Sequence, residues 1–426
     1  MAKKSTIQGT TFASEIDGFS SGYGLIDMIS GVSNSKGTML FPRATIVELY
    51  GLKSASKTTL LLSVIAYNQM INPDFKVLYA DFEKMIRNQI PYLNSLGVQI
   101  TEDKFKIIEP DTQEEGCAMM LDAVRNDDYD MIIVDTIAAM RPKVELEKGF
   151  AENKQMGVRA KNMSEFLRNL MADLPADGPA VIFINQEYKD IHSSSFVQTY
   201  TTPSSDALAF YAGIRIEVKE LQKLKDKKIN PYTLEEAEIP YGSIIRIKTL
   251  KNKVGTPFLE SKYVITYGEG IDIVPSVINA AINAKVIRNK GASKSSFIFE
   301  VDGEEKSVVG MSKMIRYFKE NPKALVSVGS AINELWAADL SHYEEMLSRK
   351  GTSNSSKFEL YTVDDEAEEE VDEQELTSTG GTIDFNNLPE SDEAPEATLD
   401  AAFKESKTHV KKVETSSTGG LKLTIN

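Results

Sequence analysis

Cysteine is almost missing. Cys117 stands alone in 426 residues, so neither a disulfide framework nor a cysteine-based zinc site can be built, and the usage suits a reducing compartment. Long apolar runs are missing too; none approaches the roughly 20 residues that a helix needs to cross a bilayer. The opening residues, MAKKSTIQGTTFASE, carry lysines with no apolar stretch behind them, which excludes the pattern of a secretory leader. These absences predict a soluble cytoplasmic protein without a membrane partner. What is plentiful is apolar side chain, 41% of the chain, enough for a substantial core. A chain of 426 residues exceeds one compact domain and predicts two or three units.

Positive charge is in deficit, with a formal balance of −15 that on its face argues against nucleic acid. The deficit is local. From Asp364 onward there are 17 acidic and 5 basic residues, which leaves only −3 for the preceding 363. A nearly neutral body can still carry basic patches, and patches rather than totals set phosphate attraction.

Along the chain, residues 1–17 read as a short polar arm. From 18 to 271, short β-rich runs alternate with helical stretches. The clearest strands are TIVELY (45–50), KVLYA (76–80), MIIVD (131–135), VIFIN (181–185), IRIEV (214–218) and SIIRIKTL (243–250). Several are almost wholly apolar, as strands covered on both faces must be. The alternation predicts an α/β fold with a largely parallel central sheet. The charged stretch KELQKLKDKKINPYTLEEAEIPYG between the last two strands reads as a long antiparallel hairpin at the sheet edge. Residues 272–345 read as a smaller α/β unit. Beyond 346 the sequence turns to RKGTSNSSK, DDEAEEEVDEQE and SDEAPEAT, too polar to bury itself, and a disordered acidic tail is expected.

The stretch GLKSASKTT, Gly51 to Thr59, nearly matches the phosphate-loop pattern G-x-x-x-x-G-K-[ST], with Ser56 in place of the second glycine. It follows the strand TIVELY and opens the apolar helix TLLLSVIAYNQM, as a loop that cradles phosphate with backbone N–H groups must. A Cβ at position 56 costs on the order of 1 kcal/mol if φ there is positive. The rival reading is a chance Gly-Ser-Lys loop. Three more strand ends weigh against chance. MIIVD ends in Asp135, suited to the Mg²⁺ side of a nucleotide. Glu83 lies just past KVLYA, where a carboxylate can deprotonate water. Gln186 lies just past VIFIN, where an amide can sense a γ-phosphate. Ligands of open α/β sheets gather at such carboxyl ends. Lys251 and Lys253, two apart in an extended segment, point to one side; from pattern alone this reads as charge protecting an edge strand.

GLKSASKTT, YADFEK, DMIIVDTIAAMRPKVELE, VIFINQ, SSDALAFYAGIR, RIKTLKNKVGTPF and ITYGEGI occur in this order. Together they resemble the bacterial RecA recombinase family over roughly 20–340, and the diverged loop suggests a phage-encoded member. The resemblance implies a P-loop NTPase core, a small C-terminal domain and a DNA-dependent ATPase that forms a helical filament on single-stranded DNA and pairs it with duplex DNA. By position, Gly51, Ser54, Ala55, Ser56, Lys57, Thr58 and Thr59 would hold ATP, with Thr58 and Asp135 on Mg²⁺. Tyr92 would stack on adenine, Glu83 would be the catalytic base, and Gln186 would couple the γ-phosphate to DNA. Lys251 and Lys253 would reach into the neighbouring subunit's ATP.

Two segments would be DNA loops, about 145–157 with Met156 as a wedge and about 187–205 with Phe196. Lys161, Ser164 and Arg168 follow the first at helical spacing and suit phosphate, or else line a solvated face. Arg215, Lys219, Arg246 and Lys248, with the hairpin lysines, would make a secondary DNA site, or those lysines keep the hairpin soluble. Lys285, Arg288, Lys290 and Lys294 would capture duplex, or else form a solvated face. The acidic tail would compete with DNA for basic surface, or serve solubility or contacts with recombination mediators. Departures from the family pattern are Ser56, Ser204–Ser205 where glycines are usual, the short arm and the long insertion. A ring helicase on the same core and a non-hydrolysing, ATP-binding mediator are the competing functions.

Overall fold

The computed structural model describes residues 16–34, 37–126, 128–148, 157–189, 200–201, 205–229, 236–291, 295–332 and 345. The strands are β1 (Ile46–Gly51), β2 (Val77–Asp81), β3 (Phe105–Ile108), β4 (Met131–Asp135), β5 (Ala180–Gln186), β6 (Ile214–Ile229), β7 (Glu236–Asn252), β8 (Glu260–Thr266) and β9 (Gly270–Asp272). They form one nine-stranded sheet in the order β9-β8-β7-β6-β1-β5-β4-β2-β3. From β6 to β3 every pairing is parallel, and β7, β8 and β9 are added antiparallel.

Helices between the parallel strands cover both faces, which is why the strands are apolar at nearly every position. On one face lies α1 (Lys57–Ile71); on the other lie α2 (Gln113–Asn126), α3 (Val158–Asp173) and α4 (Ser205–Tyr211). The period of two sorts each strand: Val47, Leu49, Met131 and Ile133 join the core on the α1 side, and Ile46, Ile132 and Val134 the core on the other. Helix α1 is apolar all round, with Leu60, Leu61, Leu62, Val64 and Ile65 all buried, because it is enclosed by the sheet and further apolar elements. The nucleotide-like loop is therefore anchored at both ends in close-packed material.

After β9 come α5 (Ile273–Asn283), a separate three-stranded antiparallel sheet of β10 (Arg288–Asn289), β11 (Ser296–Val301) and β12 (Glu304–Val309), and then α6 (Met311–Glu320) and α7 (Pro322–Ile332). Its core of Phe297, Phe299, Met314, Phe318 and Leu325 runs continuously into that of α1. Asp272 ties the two regions. Its Oδ1 accepts from Val274 N at 3.2 Å and caps α5, and its Oδ2 lies 2.7 Å from Lys319 Nζ and accepts from Thr266 Oγ1 at 3.4 Å.

The long hairpin is present but is not at the sheet edge. Ile214–Glu217 pair with β1 and Gly242–Lys248 pair with β8, so the hairpin's base lies inside the sheet. Beyond those positions the two strands pair only with each other. Lys251 lies beyond the part of β7 that pairs with β8, and Lys253 lies just past the end of that strand. The arm at 1–15, both proposed DNA-loop cores and the tail from 346 lie outside the described residues. Among the described residues no helix is long and apolar enough to cross a membrane.

Asp272→Ala should lower the unfolding free energy by about 1–2 kcal/mol through loss of the α5 cap, read as a shift in urea midpoint. An unchanged midpoint would show that the cap and the Lys319 contact carry no stability.

Candidate nucleotide site

The carboxyl ends of β1, β2, β4 and β5 are neighbours in the sheet, and their last residues converge. The loop after β1 is tightly constrained. Gly51 has φ +154°, and a Cβ there would lie 2.0 Å from Val218 O, so only glycine fits. Ser56 has φ 64° and ψ 27°, the left-handed conformation that favours the glycine expected there. Ser54, at φ 62°, shares that conformation. Ser56 directly precedes α1, and its side chain makes no capping hydrogen bond. The first N–H groups of α1 therefore open toward the loop, as at an anion site.

Lys57 is buried, and its Nζ donates to Gly51 O at 2.9 Å and Leu52 O at 2.8 Å. Burial pulls its pKa down to about 8, against the nearby carboxylates Asp135, Glu187 and Glu83. Asp135 closes β4. Its Oδ2 accepts from Tyr79 OH at 2.5 Å and from Thr58 Oγ1 at 3.3 Å. Burial raises its pKa to about 6, with Glu83 and Asp81 adding to the rise and the two hydrogen bonds opposing it. Thr59 Oγ1 and Tyr92 OH share a hydrogen bond at 2.9 Å, which fixes the tyrosine beside the start of α1.

Glu83 and Gln186 meet. Glu83 Oε1 accepts from Gln186 Nε2 at 3.2 Å and from Thr136 Oγ1 at 3.0 Å. The backbone at Glu83 is pinned because Phe82 N and Glu83 N both donate to Asp135 O, at 2.8 and 3.4 Å. Lys57, Thr58, Glu83, Asp135 and Gln186, inferred from four separate segments, thus occupy one connected site.

Lys251 and Lys253 do point the same way, to the carboxyl end of α4. Lys251 Nζ donates to Ala209 O at 2.5 Å and Phe210 O at 3.0 Å, and Lys253 Nζ reaches Phe210 O at 3.4 Å. They neutralise exposed carbonyls at the negative end of that helix. No hydrogen bond among the described residues joins them to the loop at 51–59.

The DNA candidates separate into three groups. Lys161, Ser164 and Arg168 lie on α3 opposite its buried stripe of Met163, Leu167 and Leu170, with both cations exposed. Lys285, Arg288 and Lys290 are exposed around β10. The supposed secondary site is differently engaged: Arg246 pairs with Glu217, and Lys248 Nζ is 3.1 Å from Glu260. Lys219 lies close enough to Glu187 to act on its charge. Arg215 departs most from expectation. Its Nε donates to Glu48 Oε2 at 2.5 Å, and its guanidinium lies 5.0 Å from the Tyr50 ring centroid. Met156 and Phe196 lie outside the described residues.

Four residues that contact these candidates escaped sequence reasoning: Tyr79, Thr136, Glu48 and Asn185. One signal was available for Glu48. A charged residue inside the apolar run TIVELY, on a strand covered on both faces, demands a partner.

The RecA N-terminal domain family matches residues 2–272. The chain belongs to the RecA family. Its relatives include the protein RecA of Leptospira meyeri, 32% identical over 310 residues, 73% of this chain and 74% of that one. That of Legionella pneumophila strain Corby is 31% identical over 356 residues, covering 84% and 91% of the two chains. That of Petrotoga mobilis is 35% identical over 318 residues, covering 74% and 80%. Membership carries a recombinase role in general terms.

Two outcomes are expected. Ser56→Gly should raise stability by about 1 kcal/mol by relieving a left-handed serine and should leave nucleotide affinity equal or tighter; a marked loss of affinity would show the serine hydroxyl to be a ligand. Asp135→Asn should stabilise the nucleotide-free chain at pH 7.5. An unfolded aspartate titrates near 3.8 and the folded one at about 6, so the cost of its ionised form is absent below the first value and complete above the second. The gain should be about 2–3 kcal/mol at pH 7.5 and roughly half that at pH 5, measured by urea unfolding. A gain independent of pH would contradict the assignment.

Proposed function

We propose that this chain is a DNA-dependent ATPase that forms a filament on single-stranded DNA and exchanges strands with homologous duplex. The observation that carries the reading is the bond between Gln186 and Glu83 beside Lys57, Thr58 and Asp135. This is the arrangement in which an amide that senses phosphate also governs a catalytic carboxylate.

The donor set suits Mg²⁺ with ATP. Mg²⁺ in such sites takes few protein ligands, with phosphate oxygens and waters completing the shell. A threonine hydroxyl and one carboxylate meet that need, so the lack of any cluster of three His, Cys, Asp or Glu side chains among the described residues is no obstacle. Thr58 and Asp135 would hold the ion, which supplies charge neutralisation between the outer phosphates. Lys57 exchanges its two carbonyl partners for phosphate oxygens and regains a full positive charge. Tyr92, placed by Thr59, lies against the base. Glu83 receives the proton of the attacking water at Oε2, the oxygen that neither Thr136 nor Gln186 engages. Gln186, turning from Glu83 to phosphate, releases that carboxylate for the step. Phosphoryl transfer to water asks for positioning and charge more than covalent chemistry, and each residue here supplies one or the other.

DNA enters through α3 and the segments on either side of it. Lys161, Ser164 and Arg168 hold phosphates of a single strand, leaving base edges free for Watson–Crick pairing. Lys251 and Lys253, presented at the end of α4, extend to the nucleotide of the next subunit, so assembly on DNA completes each site. Lys285, Arg288 and Lys290 attract duplex, and the acidic tail competes for that surface at low salt.

Glu83→Gln preserves size and hydrogen bonding but removes the base. It should cut DNA-stimulated ATP hydrolysis by about 100-fold or more, with ATP and single-stranded DNA still bound. Hydrolysis at the wild-type rate would remove Glu83 from its role. A strand-exchange assay on the wild-type chain tests the larger reading, which fails if hydrolysis is DNA-stimulated but no exchange product forms.

A further inference from the structure

Among the buried charges that the chemistry above does not use, one sits inside the sheet itself. Glu48, in the middle of the central strand β1, is fully buried. Its Oε1 accepts from Asn185 Nδ2 at 2.8 Å, and its Oε2 accepts from Arg215 Nε at 2.5 Å. Those partners lie on the strands to either side, β5 and β6. The row continues at both ends. Arg215 is the register partner of Glu48 on one side and of Lys251 on the other. Asn185 Oδ1 accepts from the backbone N–H of Gln186 at 3.0 Å. A polar row of Lys251, Arg215, Glu48 and Asn185 therefore crosses four adjacent strands on the face away from α1, and it ends at Gln186.

Glu48 is the one anion among these four residues. Arg215 and Lys251 are like charges on neighbouring strands; burial, Lys253 and then Arg215 disfavour the charge on Lys251, and Glu48 favours it. Tyr50, two residues along β1 and on the same face, packs its ring against the guanidinium and restricts it further. Stability alone does not call for this arrangement, because well-packed apolar side chains in place of a buried ion pair are often neutral or stabilising. What the ion pair adds is fixed geometry between two ends that both bear on nucleotide.

We infer that Glu48 is a positioning residue that couples the two half-sites of each subunit: Gln186 and Glu83 for its own nucleotide, and Lys251 and Lys253 for its neighbour's. The inference rests on the ATPase and filament reading above. Gln186 is the element with two arrangements, on Glu83 or on phosphate. Its backbone is held by Asn185, Asn185 by Glu48, and Glu48 also fixes Arg215 next to Lys251. Seating the paired lysines in one junction and turning Gln186 in the next then become mechanically linked, and hydrolysis along a filament becomes cooperative in ATP. Coupling of this kind is a free energy shared between sites, so both ends must show its loss.

The test uses the full-length chain and steady-state ATP hydrolysis over a range of ATP concentrations, with and without a poly-dT oligonucleotide. Glu48→Gln keeps the shape but deletes the charge and turns one of the two acceptor oxygens into a donor, so only one of the bonds from Asn185 and Arg215 survives. It should lower the DNA-stimulated kcat by about tenfold or more, bring the Hill coefficient for ATP to 1, and leave the KM and the DNA-independent rate within about twofold of wild type. Asn185→Ala cuts the same row while leaving the ion pair whole; it should reproduce the split, and it carries the test if Glu48→Gln does not fold. A DNA-stimulated kcat within twofold of wild type in a folded variant would overturn the inference. So would an equal fall in the DNA-independent rate, which marks a merely structural role. A wild-type chain that does not hydrolyse ATP sinks the function reading and this inference with it. A DNA-stimulated wild type beside an unaltered variant sinks this inference alone.

Discussion

An ammonium and a carboxylate buried at the same end of one sheet set the terms for the rest of this molecule. Lys57 and Asp135 are both withdrawn from water, and burial pushes each toward its neutral form, the lysine down to about 8 and the aspartate up to about 6. Neither charge forms an ion pair among the described residues. The lysine rests on two backbone carbonyls, and the aspartate takes two hydroxyl donors. Groups so placed gain more from a ligand carrying both negative phosphate and a divalent cation than surface groups would, because little water has to be stripped from them on binding.

The architecture that enforces this is the parallel block. Its strands run the same way, so four loops open at one end, and helices on both faces prevent any of them from relaxing toward solvent. The close approach of Gly51 to the Val218 carbonyl shows how little freedom remains, and Ser56 shows that the chain tolerates an unfavourable backbone conformation to keep the loop's path. The same packing gives Glu48 its place. A carboxylate in the core of the central strand has to find donors, and the strands beside it supply one each. Phosphate chemistry at the sheet's end and a polar row through its middle are thus consequences of one topology.

Much of this was legible in the residues. Apolar runs such as MIIVD and VIFIN announced strands covered on both faces, and GLKSASKTT between a strand and an apolar helix announced the loop. Asp135, Glu83 and Gln186 were readable because each directly follows or closes a recognisable strand. What escaped depends on strand order, which local pattern does not encode. Tyr79 finds Asp135, and Glu48 finds both Asn185 and Arg215, only because β2 lies beside β4 and β1 lies between β5 and β6. For the same reason Arg215 read as a free cation for DNA, and the base of the long hairpin read as an edge. Lys251 and Lys253 were legible as a pair facing one side. Their seat on the α4 carbonyls required knowing where that helix ends.

If Lys57 and Asp135 seat phosphate and Mg²⁺, ligand binding must move protons on both. Calorimetric titration with Mg²⁺ and a non-hydrolysable ATP analogue, in buffers of differing ionisation enthalpy from pH 5.5 to 8.5, counts the protons exchanged on binding. Near pH 6 Asp135 must lose a proton to meet the ion, and near pH 8 Lys57 must gain one to meet phosphate. Binding should therefore release about half a proton near pH 6 and take up about half near pH 8, with Lys57→Ala losing only the alkaline limb. A proton balance that does not vary with pH, or one that Lys57→Ala leaves untouched, would contradict that seating.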